Sequence, residues 1–391
     1  MSSSGTGSVV ALFAGIGGLE HGLHERGWST ELFCEIDPAA QAVLAERFGG
    51  VEVVPDVREI RSLPGGTDMV TAGFPCQDLS QAGRTVGIHG ARSGLVDQVF
   101  RLVKRRRGGP RWLLLENVPF MLQLDRGRAM RHLTAELEDL GYRWAYRVVD
   151  ARAFGRPQRR WRVLMLASRT ADPREVLFEQ DAGEPDGGDP ADYACGFYWT
   201  EGTRGLGWAV DAVPTIKGGS AIGIASPPAV RLTDGRGLVT PGITDAERLQ
   251  GFEADWTRPA VEVPGVRPGH RWKLIGNAVS TRMSAWVADR LDQPVSYDGT
   301  RDRPLQPGDP WPTAAWGRDG VAHRAEVGMW PVQAPYEHLE DFLRETRPLS
   351  ARATAGFLRR ARAGSLRFVP GFLDDVEEHL LTMGGDPSVA A

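Results

Sequence analysis

The constraint that most limits this chain is a proline. Pro75 sits in Gly73-Phe74-Pro75-Cys76-Gln77-Asp78-Leu79-Ser80, behind an apolar run from Asp68 to Phe74 that reads as a buried strand. Proline fixes φ and has no N–H, so regular pairing stops there and Cys76 enters the loop beyond. Open α/β sheets gather ligands at the carboxyl ends of their strands, so a thiol at this position suits chemistry. The plainer expectation for an isolated cysteine is a buried, inert side chain.

The pattern around this stretch is strand, loop, helix, repeated. Ser8 to Phe13 is apolar and runs into Ala14-Gly15-Ile16-Gly17-Gly18, followed by Leu19 and Leu23 at helical spacing. Glycines there let the backbone approach a ligand, and a helix N-terminus offers free N–H groups. Ser29 to Cys34 is a second strand, ending at Glu35, about 20 residues beyond the first glycines, where Rossmann-like sites carry an acid for ribose hydroxyls. Ile36 follows and can lie against a purine. Pro38 suits the first turn of a helix to Phe48. Val51 to Pro55 delivers Asp56 and Val57, and Asp56 reads either as an acceptor for an adenine amine or as a turn aspartate.

Asp78 to Gly94 is polar and glycine-rich, with the length of a lid. Leu95 to Val103 is helical, Arg111 to Leu115 is a strand that presents Glu116, and Arg126 to Leu140 is an amphipathic helix. Then Tyr142 to Ala151 and Trp161 to Ser168 follow without a helix between them, which predicts an antiparallel pair that finishes the sheet. Gln158, Arg160 and Arg162 alternate, so a single strand would put them on one face.

Composition narrows the class. The 391 residues carry a formal charge of −4, so a nucleic-acid surface has to be a local patch. The three cysteines, Cys34, Cys76 and Cys195, are far apart, which predicts reduced thiols and no metal site. The lack of a long apolar run or signal-like leader predicts a cytoplasmic protein with no membrane contact.

The motifs together identify a resemblance. The chain resembles the C5-cytosine DNA methyltransferases over residues 8 to 291: Phe13 to Gly18, Pro75 to Gln77, Glu116 to Val118, Gln158 to Arg162, Arg248 to Phe252 and Gly276 to Val279 occur in the family's order. The resemblance implies an α/β fold, with a Rossmann-like class I methyltransferase mixed sheet and a smaller inserted target-recognition domain. It implies S-adenosylmethionine as cofactor, with Phe13, Ile16, Gly18, Glu35, Ile36, Asp56, Val57, Gly73, Pro75, Leu95, Asn277 and Val279 lining its site beside Ala14, Gly15 and Gly17 of the glycine turn. Cys76 would add to C6 of a flipped-out cytosine in double-stranded DNA, with Glu116 hydrogen-bonded at N3 and the exocyclic amine. Arg160 or Arg162 would polarise O2, and the base that removes the C5 proton stays unassigned. Gln77, Ser80, Thr215 and Lys217 are the expected DNA contacts. Such an enzyme acts as a monomer, with a cognate restriction or defence system as an expected companion. A tRNA cytosine methyltransferase and a catalytically silent DNA-binding regulator are the alternatives.

The expected organisation is a catalytic domain at 1–169, a target-recognition domain at 170–262, a return segment at 263–296 and a C-terminal extension at 297–391. Residues 298–335 read as a Pro/Trp-rich strap held by Trp311, Trp316 and Trp330. Tyr336 to Thr346, Ser350 to Ala363 and Gly371 to Met383 read as helices. In the second of these, Arg352, Arg359, Arg360 and Arg362 gather opposite an apolar face. That basic face is either a phosphate contact or a solvated face balanced by Asp374, Asp375, Glu377 and Glu378.

Overall fold

The computed structural model describes residues 7–75, 94–105, 109–218 and 225–386. These form two compact units, one of residues 1–153, 161–184 and 278–333, the other of residues 154–160, 185–277 and 334–391.

The first unit is built on a ten-stranded mixed sheet. Its strands are β1 (Gly7–Leu12), β2 (Trp28–Cys34), β3 (Glu52–Val54), β4 (Met69–Ala72), β5 (Trp112–Asn117), β6 (Arg143–Asp150), β7 (Trp161–Ser168), β8 (Arg303–Pro304), β9 (Ala314–Arg318) and β10 (Val321–Arg324). The spatial order is β8-β10-β9-β6-β7-β5-β4-β1-β2-β3. β1 to β5 are parallel neighbours, and β7 runs antiparallel between β5 and β6. Val9 to Leu12, Met69 to Ala72 and Leu113 to Leu115 are buried without alternation, as expected for parallel strands covered on both faces. The winding reverses between β1 and β4, where such sheets open a crevice at their carboxyl ends.

The longer helices are α1 (Gly18–His24), α2 (Pro38–Arg47), α3 (Leu95–Arg105), α4 (Arg128–Asp139) and α5 (Thr281–Asp292). α2 starts on Asp37, whose carboxylate accepts from the Ala39 N–H at 3.0 Å, with Pro38 behind it. α1 packs on α5. The approach depends on glycine, since a Cβ at Gly18 would fall 2.5 Å from the Val279 carbonyl oxygen.

The antiparallel pair does not finish the sheet. β9 adds to β6, with Ala314 opposite Arg147 and Trp316 opposite Ala145, so part of the expected strap is strand. Trp311 donates to the Gly127 carbonyl at 3.0 Å, Trp316 donates to Asp302 at 2.7 Å, and Trp330 lies under the Arg152 guanidinium. Arg147, wholly buried, donates to the carbonyls of Leu177 (2.9 Å), Gln180 (2.5 Å) and Gly328 (2.7 Å) and to the Asp181 carboxylate (2.7 Å). One guanidinium thereby fixes two loops to the sheet, and burial pulls its pKa down to about 10.

The second unit has a five-stranded antiparallel sheet in the order 209–210, 195–197, 229–231, 238–241, 346–348. Its core joins Phe197, Ala229 and Leu238 to Phe357, Leu358, Phe372, Val376 and Leu380 from the helices Ala351–Ala363 and Phe372–Thr382. Residues 297–391, expected as one extension, are therefore shared: 303–324 extend the first unit's sheet and 346–382 complete the second unit's core. The expected helix from Tyr336 to Thr346 forms only at Leu339–Phe342. Asp211 captures the Leu339 N–H at 2.8 Å, and Asp245 captures those of Arg344 (3.0 Å) and Glu345 (2.8 Å), so the chain is drawn into a strand instead. Among the described residues, no helix is long and apolar enough to cross a membrane.

Candidate active site

The first side of the crevice is the turn after β1. Phe13 has φ 57°, a left-handed conformation costly for a bulky residue, and Gly15 and Gly17 follow at φ 57° and 79°. The turn closes through Gly17 N–H to Ala14 O (2.9 Å) and is tied to β2 through Ala14 N–H to Cys34 O (3.1 Å). A Cβ at Gly15 would meet nothing within 4 Å, so the backbone there is open to approach. Ile16 is buried beneath. Gly17 has the opposite constraint, since a Cβ there would run into the Phe48 ring.

Glu35, at the tip of β2, locks this turn from the other side. One carboxylate oxygen accepts from Gly15 N–H at 2.7 Å and the other from Asp37 N–H at 2.8 Å. Burial raises its carboxyl above the usual range, and these two N–H groups act against that shift. Ile36, next to it, is 70 % exposed. Beyond β3, Asp56 is clasped by the Nε and Nη2 of Arg58, whose hydrogen bonds lower its pKa, while Val57 is buried in the core. Sequence reasoning did not include Arg58, two residues away, in this site.

The other side is formed by the tips of β4 and β5. Glu116 is nearly buried, and its Oε1 lies 2.8 Å from Arg162 Nε on β7. A Cβ at Gly73 would sit 3.5 Å from Glu116 Oε2 and 3.8 Å from the Phe13 carbonyl oxygen, so the tips of β1, β4 and β5 converge here. Asn117 donates to the Phe74 carbonyl at 2.9 Å, fixing the strand end that leads through exposed Pro75 to the loop. Leu95, partly buried at the start of α3, packs against the same core as Phe13. Val279 meets α1 at Gly18. Cys76, Gln77 and Ser80 lie outside the described residues.

Two further groups were not read from sequence as part of this region. Glu20 on α1 is 1 % exposed and accepts from the Thr71 hydroxyl of β4 at 2.5 Å; burial pushes its carboxyl up to about 7. Cys34 is also buried, which pushes its thiol up to about 12, so it is inert at neutral pH.

In the second unit, Gln158 and Arg159 form a two-residue strand paired with Val213 and Pro214, and the strand breaks at Arg160. The alternation expected of Gln158, Arg160 and Arg162 along one strand is therefore interrupted, because 158–159 and 161–168 take different partners. Arg160 is fully buried and donates to the Gly276 carbonyl at 3.0 Å, and Gln158 donates to the Leu249 carbonyl at 3.3 Å. Thr215 donates to the Arg159 carbonyl at 2.9 Å. Lys217 is ion-paired with Glu201, with its ammonium 3.6 Å from the Tyr198 ring centroid. Asn277 is exposed at the end of the helix His270–Asn277. A Cβ at Gly276 would fall 2.5 Å from the Gly218 nitrogen, so glycine is required for this approach.

A doubly wound sheet with a glycine turn, an acid on the second strand tip and a buried acid–arginine pair defines a Rossmann-like class I methyltransferase. The chain belongs to the C-5 cytosine-specific DNA methylase family: the family's model matches residues 7–186. It is 50% identical over 379 residues to the Type II methyltransferase M2.BsuMI of Bacillus subtilis (strain 168), across 94% of this chain and 97% of that one. It is also 36% identical over 177 residues to the Type II methyltransferase M.PspPI of Psychrobacter sp. (strain TA137), across 44% of this chain and 42% of that one. In fold it is similar to the S. pombe Dnmt2 methyltransferase, with a TM-score of 0.52, 15% identity, and coverage of 73% of this chain and 98% of that one. The activity is DNA cytosine-5 methylation.

Proposed function

We propose that the chain uses S-adenosylmethionine to methylate C5 of a cytosine flipped out of double-stranded DNA, through a covalent bond from Cys76. The observation that carries this reading is the convergence of Phe13, Gly73 and the Glu116–Arg162 pair at the strand tips where the winding reverses. Bound there, S-adenosylmethionine supplies an electrophilic methyl group. Glu35 orients the glycine turn and takes the ribose hydroxyls. Ile36 covers one face of the adenine, and Asp56 and Val57 meet its edge. Phe13 to Gly18, Pro75, Leu95, Asn277 and Val279 complete the binding surface.

The Cys76 thiolate adds to C6 and makes C5 nucleophilic; after methyl transfer the C5 proton leaves to a base and the thiolate is expelled. Burial suppresses the thiols of Cys34 and Cys195, the latter pushed up to about 11, which leaves Cys76 for this role. Glu116, in its carboxylic-acid form when the cytosine is bound, donates its proton to N3 and so offsets the negative charge that builds on the ring, and Arg160 or Arg162 polarises O2. Gln77, Ser80, Thr215 and Lys217 contact the DNA. We read it as a cytoplasmic monomer on DNA, and the similarity to Type II methyltransferases supports a companion restriction or defence system.

Duplex DNA with 5-fluorocytosine at the target tests the covalent step. Fluorine cannot leave as a proton does, so the adduct accumulates on the wild-type protein when cofactor is supplied. Cys76→Ser abolishes it, since an alcohol ionises far less than a thiol. An undiminished adduct on Cys76→Ser in a mass spectrum rules out this nucleophile.

A further inference from the structure

The turn after β3 carries Asp56 and Val57, and it closes on itself at Asp56 alone, through Glu59 N–H to Asp56 O and Arg58 N–H to Asp56 Oδ1, each at 2.9 Å. α3 meets it with one face, on which Gln98, Arg101 and Arg105 are spaced three and four apart. Arg101 donates from Nη2 to the Val57 carbonyl (2.9 Å), from Nη1 to the Ile60 carbonyl (3.0 Å) and from Nε to the Gln98 side-chain oxygen (2.7 Å). Arg105 adds a bond to the Arg61 carbonyl at 3.2 Å. Beside these bonds, Val57 and Ile60 are buried in the same core as Val96, Val99 and Phe100 of α3. The three bonds of Arg101 go to two backbone carbonyls and an amide, while the Asp56 carboxylate is held by Arg58.

The geometry points to Arg101 as the positioning residue for the adenine end of the cofactor site: its planar fork holds the Val57 and Ile60 carbonyls and so sets where Asp56 and Val57 present themselves. This rests on the reading of those two residues as cofactor contacts. The fork is what matters, since an ammonium cannot reproduce its fixed, planar directions. The same helix begins at Leu95, so one rigid element carries a cofactor-lining residue at its start and the brace two turns further on.

The test compares wild type, Arg101→Met, Arg101→Lys, Asp56→Ala and the double variant Arg101→Met/Asp56→Ala. Calorimetry with S-adenosylhomocysteine gives affinities, and initial rates on duplex DNA separate KM for S-adenosylmethionine from kcat. Removing two bonds to the turn predicts about tenfold weaker binding and a matching rise in KM for Arg101→Met, with kcat at saturating cofactor within about twofold. Arg101→Lys moves the same way although its charge is kept, and it carries the test if the methionine variant does not fold. The double variant loses less than the product of the single losses, because both act through one turn. Wild-type affinity in the folded Arg101 variants, with Asp56→Ala weakened, overturns the inference alone. Wild-type affinity in Asp56→Ala overturns the underlying reading. A fall in kcat with KM unchanged also overturns the inference, as it makes Arg101 a general support of the fold.

Discussion

Glu116 Oε1 lies 2.8 Å from Arg162 Nε, and each side chain is less than a tenth exposed. A pair taken out of water in this way is held in one geometry, which suits a carboxyl that has to meet a ring nitrogen and amine together. Removing either partner leaves the other charge in a poorly solvated site, so Arg162→Ala is expected to cost about 3 to 5 kcal/mol of stability. Glu116→Gln keeps the shape and lowers the rate of methyl transfer by about 100-fold or more, with little change in cofactor affinity. Urea unfolding and single-turnover methylation measure the two effects. A Glu116→Gln enzyme with wild-type single-turnover rates would remove Glu116 from the chemistry.

Glu35 uses one carboxylate oxygen on Gly15 N–H and the other on Asp37 N–H. The remaining lone pairs are the ones available to ribose. Glu35→Ala is expected to weaken S-adenosylhomocysteine binding by about 1.5 to 3 kcal/mol and to leave the DNA sequence preference unchanged. Calorimetry measures the first and methylation mapping the second, and an unchanged affinity would place the ribose elsewhere.

How far these features could be read from sequence depended on how local their causes are. Glu35 was legible because strand length and a turn of fixed size place an acid at the second tip. The antiparallel β6–β7 pair was legible because no segment with the length and periodicity of a crossover helix separates the two runs; only the short turn Ala151–Phe154 is helical there. Other features are set by partners far along the chain. The stretch Ala314-Ala315-Trp316-Gly317 has little apolar periodicity, yet β6 accepts it because small residues fit there; a Cβ at Gly317 would collide with Trp144. The helix expected at 336–346 is limited by Asp211 and Asp245, about a hundred residues earlier. The interruption at Arg160 comes from Val213 and Pro214 pairing with Gln158 and Arg159, which spacing alone does not reveal.

Glu20 gives the protein a dependence on pH that cofactor chemistry does not require. Its carboxyl is pushed from 4.5 up to about 7 by burial in the folded state, so the folded chain holds a proton that the unfolded chain releases earlier. The stability it contributes is fully present below about pH 4.5 and is lost as pH rises through about 7, a change of about 3 kcal/mol. Glu20→Gln cannot ionise, so its urea midpoint should stay flatter than that of wild type from pH 5 to 8 and exceed it at pH 8. Parallel profiles for the two proteins would show that Glu20 is not the group responsible.

The helix Ala351–Ala363 sets a limit on how much DNA binding its arginines can supply. Arg360 donates to the Trp199 carbonyl at 2.6 Å and the Glu201 carbonyl at 3.1 Å, and Arg362 is paired with Glu377. Arg360 is thereby committed to the fold and Arg362, though exposed, is engaged by Glu377, which leaves Arg352 and Arg359 as the exposed cations to test on this face. Arg360→Ala is expected to cost about 1 to 3 kcal/mol, since two carbonyls are deprived of a charged donor. The double change Arg352→Ala/Arg359→Ala is expected to leave both stability and the slope of log affinity against log salt unchanged, because isolated exposed charges contribute little. An arginine that did neutralise a phosphate would account for about 0.9 of that slope, so the largest fall the double change can produce is about 1.8. A fall of that size, measured on duplex DNA between about 50 and 200 mM salt, would instead make the helix part of the DNA-binding surface.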